Sequence, residues 1–166
     1  VNLGNGLITI DSYAFLSCSE LASIVIPESV MEIGEGAFHD CPKLAKFEGK
    51  FTVDDGKALV VYDTLVAFAV ACGATEYVIP ENVTTVGCYA FYSCNSLTSV
   101  TIPEGVTTIG EYAFYSCRQL ATVYCKPTTT PETGGNIFDD NAGPMDCIIY
   151  VPTESVEAYK ESWSKY

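Results

Sequence analysis

Residues 83–120 read VTTVGCYAFYSCNSLTSVTIPEGVTTIGEYAFYSCRQL, and the stretch nearly repeats itself. Val83, Thr84, Thr85, Val86 and Gly87 return as Val106, Thr107, Thr108, Ile109 and Gly110. Ala90, Phe91, Tyr92, Ser93 and Cys94 return as Ala113, Phe114, Tyr115, Ser116 and Cys117, at an offset of 114 − 91 = 23 residues. A fixed period of this size predicts a stacked-repeat solenoid.

The same offset links Phe15 to Phe38, since 38 − 15 = 23. Over residues 21–43 the unit is L-x-x-I-x-I-P-x-x-V-x-x-I-G-x-x-A-F-x-x-C-x-x. Leu21, Ile24 and Ile26 are spaced for a short strand with one buried face. Pro27 and Pro103 end that strand, because proline cannot donate to a continuing ladder. Val30 and Ile33, or Val106 and Ile109, supply a second short extended segment. Gly34, Gly87 and Gly110 mark a bend that needs positive φ or close backbone approach. The A-F-x-x-C run suits one tight helical turn, with Phe and Cys inward. No unit can bury its apolar side alone, so stacking is expected to join these sides into one long core.

Residues 45–76 break the period, because Pro27 to Pro80 spans 53 residues, or 23 + 30. Asp54, Asp55 and Gly56 between apolar runs signal a hairpin. A small antiparallel meander that stays in the stack is expected over residues 51–70, replacing one standard coil. After Leu120 the pattern decays. Residues 126–135 read as a loop, and Phe138 as the last phenylalanine of the ladder. Residues 147–152 read as a final strand, and Thr153 as the N-cap of a short helix over residues 154–159. Trp163 reads as a plug over the open core, since end repeats are usually atypical. The organisation expected is a single repeat domain over residues 1–166. It has N-terminal repeats at 7–44, the insertion at 45–76, C-terminal repeats at 77–125 and a capping segment at 126–166.

Hydrophobic residues make up 48% of the 166 and charged residues 17%, which excludes disorder as the main state. The apolar run over residues 65–72 is far shorter than the roughly 20 residues that span a bilayer, so no membrane insertion of this chain is expected. A formal net charge of −13 opposes nucleic acid and anionic lipid as partners.

The unit resembles the BspA-type leucine-rich repeats of bacterial cell-surface proteins. The match is I-P-x-x-V-x-x-I-G-x-x-A-F-x-x-C at residues 26–41, 79–94 and 102–117. The meander and the tail over residues 150–163 also look like segments of that family. Cys125, standing where Ile26 and Ile102 stand, and Cys88 depart from the pattern. The resemblance implies a leucine-rich-repeat fold of short parallel strands and short helical turns. It also implies an exported, extracellular or cell-surface adhesion module, with a lipid anchor or export signal expected upstream of Val1, and no shared enzymatic activity.

Catalytic, metal and cofactor sites are not expected. Cys18, Cys41, Cys94 and Cys117 share one repeat position and read as small buried core residues, reduced rather than bridged. Cys72, Cys88, Cys125 and Cys147 are less determined, with a Cys125–Cys147 bridge as one option. The chain's one histidine, His39, falls at an expected solvent-side position of A-F-x-x-C. Asp54, Asp55 and Gly56, and Asp139, Asp140 and Asn141, read as acidic turns without calcium-loop spacing. Asn82, Val83 and Thr84 form a glycosylation sequon that is silent in a bacterial source.

A solenoid exposes one side-chain row per strand position, and its sheet face is its usual contact surface. The outward residues of the first strand are Val25, Glu48, Thr101 and Tyr124. They are expected to form one continuous face for a protein or glycan partner. Tyr92 and Tyr115 form a second candidate row. Thr84, Thr85, Thr98, Thr101, Thr107, Thr108 and Thr122 also face outward, and threonine is simply a good exposed strand residue. A spacer without a ligand of its own is the alternative, and an enzyme with an unrecognised site the more remote one.

Overall fold

The computed structural model describes residues 1, 3–138 and 147–164. Asp139, Asp140 and Asn141 lie outside them. The described residues form a β-solenoid of about six turns closed by one short helix.

The first coil carries β1 (Thr9–Ile10), and the second carries β2 (Ser23–Ile26) and β3 (Glu32–Ile33). The third holds β4 (Lys46–Gly49) and then the insertion: β5 (Thr52–Val53), a 3-10 turn at Asp54–Gly56, β6 (Ala58–Val61) and β7 (Thr64–Phe68). The next coils pair β8 (Glu76–Val78) with β9 (Thr85–Val86), and β10 (Ser99–Ile102) with β11 (Thr108–Ile109). The sixth has β12 (Thr122–Cys125) and β13 (Glu132–Thr133), and the chain ends in β14 (Ile148–Tyr150) and helix α1 (Val156–Ser162). Residues 126–135 are thus not all loop: β13 continues the second ladder by pairing in parallel with β11.

Two ladders run along the stack. The first consists of β2–β4 and, separately, β8–β10–β12–β14. The second consists of β1–β3 and, separately, β9, β11 and β13 extended through β7 into the antiparallel β6 and β5. The meander therefore stays in the stack, as expected. It also cuts both ladders. Its 3-10 turn sits against β4: a Cβ at Gly56, whose φ is +87°, would lie 2.2 Å from the Phe47 carbonyl oxygen. On its other side Asp54 accepts a hydrogen bond from the Tyr77 hydroxyl of β8. This turn occupies the slot in which β4 and β8 would otherwise pair.

The core is divided accordingly, which corrects the single long core. One cluster holds Ile24, Phe38, Leu44 and Phe47, with Phe15 packed against it. The other holds Phe68, Phe91, Phe114, Tyr159 and Trp163. The hairpin forms the partition, with Leu59 and Ala67 on the first side and Ala58, Val60 and Leu65 on the second. The phenylalanine ladder shows the same break. Phe15 stacks on Phe38 at 5.4 Å between ring centroids. A second run joins Phe68, Phe91, Phe114 and Phe138 at 5.1, 5.0 and 5.7 Å. Each such pair contributes about 0.5–1.5 kcal/mol beyond area burial.

The A-F-x-x-C segments are successive tight turns rather than one helical turn. The cause is a pair of left-handed residues flanking Ala and Phe in each regular coil. Tyr13, Tyr89 and Tyr112 precede alanine with φ of 60°, 60° and 56°, and Ser17, Ser93 and Ser116 precede cysteine with φ of 56°, 58° and 57°. Gly34, Gly87 and Gly110 serve close approach, not positive φ. A Cβ at Gly110 would stand 2.5 Å from the backbone nitrogen of Cys88.

The cysteine position has a polar reason as well as an apolar one. Cys41 Sγ donates to the Phe15 carbonyl and Cys117 Sγ to the Phe91 carbonyl of the preceding coil, each at 3.0 Å. Cys41, Cys94 and Cys117 are buried, whereas Cys18, in the outermost described coil, is half-buried. Cys125 is not bridged to Cys147; its thiol lies 3.3 Å from the Tyr159 hydroxyl, and burial pushes its pKa up to about 11.

At the C-terminal end Trp163 is 5% exposed, packs on Tyr159 and donates its indole N–H to the Pro131 carbonyl, as a plug should. Thr153 does not cap α1. It opens a 3-10 turn, and Ser155 precedes the helix while its hydroxyl bonds the Thr128 carbonyl at 2.6 Å.

Candidate functional site

The period-2 alternation of each first-ladder strand sends one side chain in and the next out. In β10, Val100 and Ile102 are fully buried while Ser99 and Thr101 face out. Parallel registry then aligns the outward residues of successive coils. Val78, Thr101, Tyr124 and Tyr150 are register partners in sequence along the sheet. Glu76, Ser99, Thr122 and Ile148 form the adjoining row.

This face is open and partly apolar. Val78 is 59% exposed, Tyr124 46%, Ile148 53% and Tyr150 51%. Tyr124 and Tyr150 stack at 5.1 Å between centroids with planes 16° apart. Two shallow hollows meet at Thr101 and Tyr124. One, of about 380 Å³, is lined by Glu76, Val78, Ser99 and Thr122. The other, of about 390 Å³, is lined by Lys126, Tyr150 and Pro152. At its edge Lys126 pairs with Glu81 at 3.7 Å. The surface offers two stacked phenol rings, hydroxyls on either side and few charges. Such a surface supports contact recognition.

The structure brings together only part of the expected row. Val25 and Glu48 are partners in β2–β4, and Thr101 and Tyr124 are partners in β10–β12. The 3-10 turn between β4 and β8 separates the two pairs, so the row is not continuous. Sequence reading missed Val78 and Tyr150. Val78 was available at the repeat offset, since 101 − 78 = 23. Tyr150 was hidden by three extra residues, since 150 − 124 = 26.

Tyr92 and Tyr115 do form a stacked row, at 5.7 Å and 10°. They belong to a wider aromatic band with Tyr89 and Tyr112, which stack at 5.3 Å. His39 is part of this band rather than a solvent-side residue. Its ring centroid lies 4.6 Å from that of Tyr89 and 4.2 Å from that of Tyr92, and both ring nitrogens are buried without a hydrogen-bond partner. The physical reason is the third coil, whose short turn recedes and lets the second coil meet the fourth. Burial lowers the His39 pKa, against a smaller opposing effect of the Asp40 carboxylate.

Several outward threonines are staples between coils. Thr98 Oγ1 donates to the Thr75 carbonyl at 3.0 Å, and Thr84 Oγ1 to Asp63 at 2.6 Å. Among the described residues no group of three or more His, Cys, Asp and Glu side chains could hold a metal ion. Among them, too, no helix is long and apolar enough to cross a membrane.

A right-handed run of short parallel strands with an inward Leu/Ile/Val/Phe pattern every 23 residues defines a leucine-rich-repeat solenoid. The chain belongs to the BspA type Leucine rich repeat family, whose repeat region matches residues 1–55 and 66–158 in six copies. No curated protein matches it significantly. A leucine rich cell surface protein of Faecalibacterium prausnitzii has a similar structure, with a TM-score of 0.68 at 27% identity over 72% of this chain and 33% of that one. A leucine-rich repeat protein of Eubacterium ventriosum gives 0.65 at 28% identity over 81% and 37%. The pneumococcal vaccine antigen PcpA shares the fold, at 0.69 and 16% identity over 90% and 47%. The chain thus spans between a third and a half of the length of these proteins.

Proposed function

We propose that the chain is a non-catalytic recognition module of a bacterial cell surface, and that the sheet face around Thr101, Tyr124 and Tyr150 docks an extracellular protein or glycan. The observation that carries this reading is the exposed Tyr124–Tyr150 stack on a flat, in-register ladder. Aromatic rings held rigid by their neighbours give large contact area at low entropic cost, which is why tyrosines dominate binding hot spots. The printed description of the Faecalibacterium protein as a cell surface protein supports the location. The low density of charge on the face suits a protein or glycan better than a phosphate polymer.

The test is an array of extracellular glycans and matrix proteins, probed with the wild-type chain and with Tyr124→Ala and Thr101→Lys. Each variant should weaken any specific signal by about tenfold or more. Binding retained by both variants would move the site off this face, to the Tyr92 and Tyr115 row next. No binding to any component would favour a spacer role.

A further inference from the structure

The receding third coil leaves a cleft on the turn side of the solenoid, remote from the sheet face. Its walls are Asp40 and Pro42 of the second coil and Tyr92, Ser93, Asn95 and Ser96 of the fourth, with Val70 lining it from the third. The sequence shows why the third coil recedes. Four residues separate Phe68 from Cys72, where three separate Phe91 from Cys94, and Ala69, Val70 and Ala71 replace the polar residues of the regular turn.

The cleft holds about 290 Å³, at the small end of ligand pockets, which suits one ring rather than a chain. Its polar groups are mixed. Asp40 accepts the Ser17 hydroxyl on Oδ2 at 3.0 Å, which leaves Oδ1 as an acceptor. Asn95 takes the Arg118 backbone N–H on Oδ1 at 3.4 Å, which leaves Nδ2 as a donor. Ser96 Oγ is buried and has no hydrogen-bond partner. A buried hydroxyl without a partner is costly, and a ligand atom that pairs with it removes that cost.

We propose that this cleft binds a single neutral pyranose residue. A ligand here must both accept from Asn95 and donate to Asp40, and adjacent ring hydroxyls do both. An anion would meet the Asp40 carboxylate inside a chain of net charge −13. A metal ion would find one carboxylate where hard cations need six or more oxygens. An ammonium group could pair with Asp40 but would leave the Asn95 donors facing another donor. The site is independent of the sheet face.

The test is an NMR titration of the intact chain with free methyl glucoside, galactoside, mannoside and N-acetylglucosaminide. His39 is the chain's one histidine, so its ring signals need no assignment by mutation, and its ring adjoins Tyr92 in the cleft wall. At least one pyranoside should shift the His39 signals saturably. Asp40→Asn and Ser96→Ala should each weaken that binding by about tenfold, and Tyr124→Ala should leave it unchanged. Should a variant fold poorly, the wild-type His39 titration still decides. His39 signals unmoved by all four sugars, or saturation that both cleft variants retain, would overturn the proposal. Loss of sugar binding in Tyr124→Ala would overturn the separation of the two sites.

Discussion

Tyr13 and Tyr89 come from the first and fourth coils, yet their rings meet at 5.8 Å. They meet above Gly36, the position where other coils carry tyrosine. A Cβ there would lie 2.7 Å from Tyr13 and 3.2 Å from Tyr89, at a φ of +59°. The hydroxyls also hydrogen-bond, which holds the Tyr89 pKa above its ordinary value. Gly36→Ala should therefore cost about 1–2 kcal/mol, from left-handed strain plus displacement of two rings. Urea denaturation measures it. An unchanged midpoint would mean that the tyrosines do not close over this site in solution.

Gly110 and Gly105 make an internal contrast. Gly110→Ala would press a methyl group on the Cys88 backbone, so it should cost more than Gly36→Ala, where side chains can yield. At Gly105 the nearest atom to a new Cβ is 3.6 Å away and φ is not positive. Ser29 and Asn82 stand at the equivalent place in other coils. Gly105→Ala should stabilise by about 0.4–1 kcal/mol through the unfolded chain. Thermal melts of the two variants should move in opposite directions.

His39 sets a pH dependence. Its ordinary pKa is 6.5, and burial among Tyr13, Tyr89 and Tyr92 lowers it in the fold, with Asp40 opposing. The folded state thus prefers the neutral ring. The contribution is present in full above the unfolded value and is lost as pH falls through about 6.5 toward the folded value. His39→Phe keeps an aromatic ring and removes the titration. Wild type should lose more stability than this variant between pH of about 7.5 and 5.5. Equal losses, or an NMR pKa for His39 above 6.5, would contradict the burial of its nitrogens.

The thiols should react by depth. Cys94 is fully buried beside Cys117, and burial raises its pKa well above the ordinary value, so its thiolate is scarce. Cys18 is half-buried in the outermost described coil. Alkylation of the native chain should modify Cys18 well before Cys94 or Cys117. After unfolding without reductant, mass spectrometry should find all four repeat thiols labelled. A linked Cys18–Cys41 or Cys94–Cys117 peptide would contradict this arrangement.

The repeat was legible because each coil must bury the same side. The spacing of Phe91 and Phe114 sufficed for the ladder, and the Asp54–Gly56 turn for the hairpin. One further signal went unread: Ala67 and Phe68 stand 23 residues before Ala90 and Phe91, so the meander coil keeps its place in the phenylalanine ladder. The divided core was not legible. It depends on the Gly56 backbone meeting Phe47 and on Asp54 meeting Tyr77, which are contacts between coils that no period records. The His39 cluster escaped for the same reason, since its partners lie two coils away. For the site, the outward parity of Thr101 and Tyr124 was readable from alternation alone. Its limits at Val78 and Tyr150 depended on which strands pair.

The most direct test of the proposed recognition face is NMR of tyrosine ring signals with a ligand selected on the extracellular array. Tyr124 and Tyr150 should shift together on binding, with Tyr92, Tyr112 and Tyr115 unmoved. Shifts confined to that second group, or no array component that perturbs Tyr124 and Tyr150, would contradict the account.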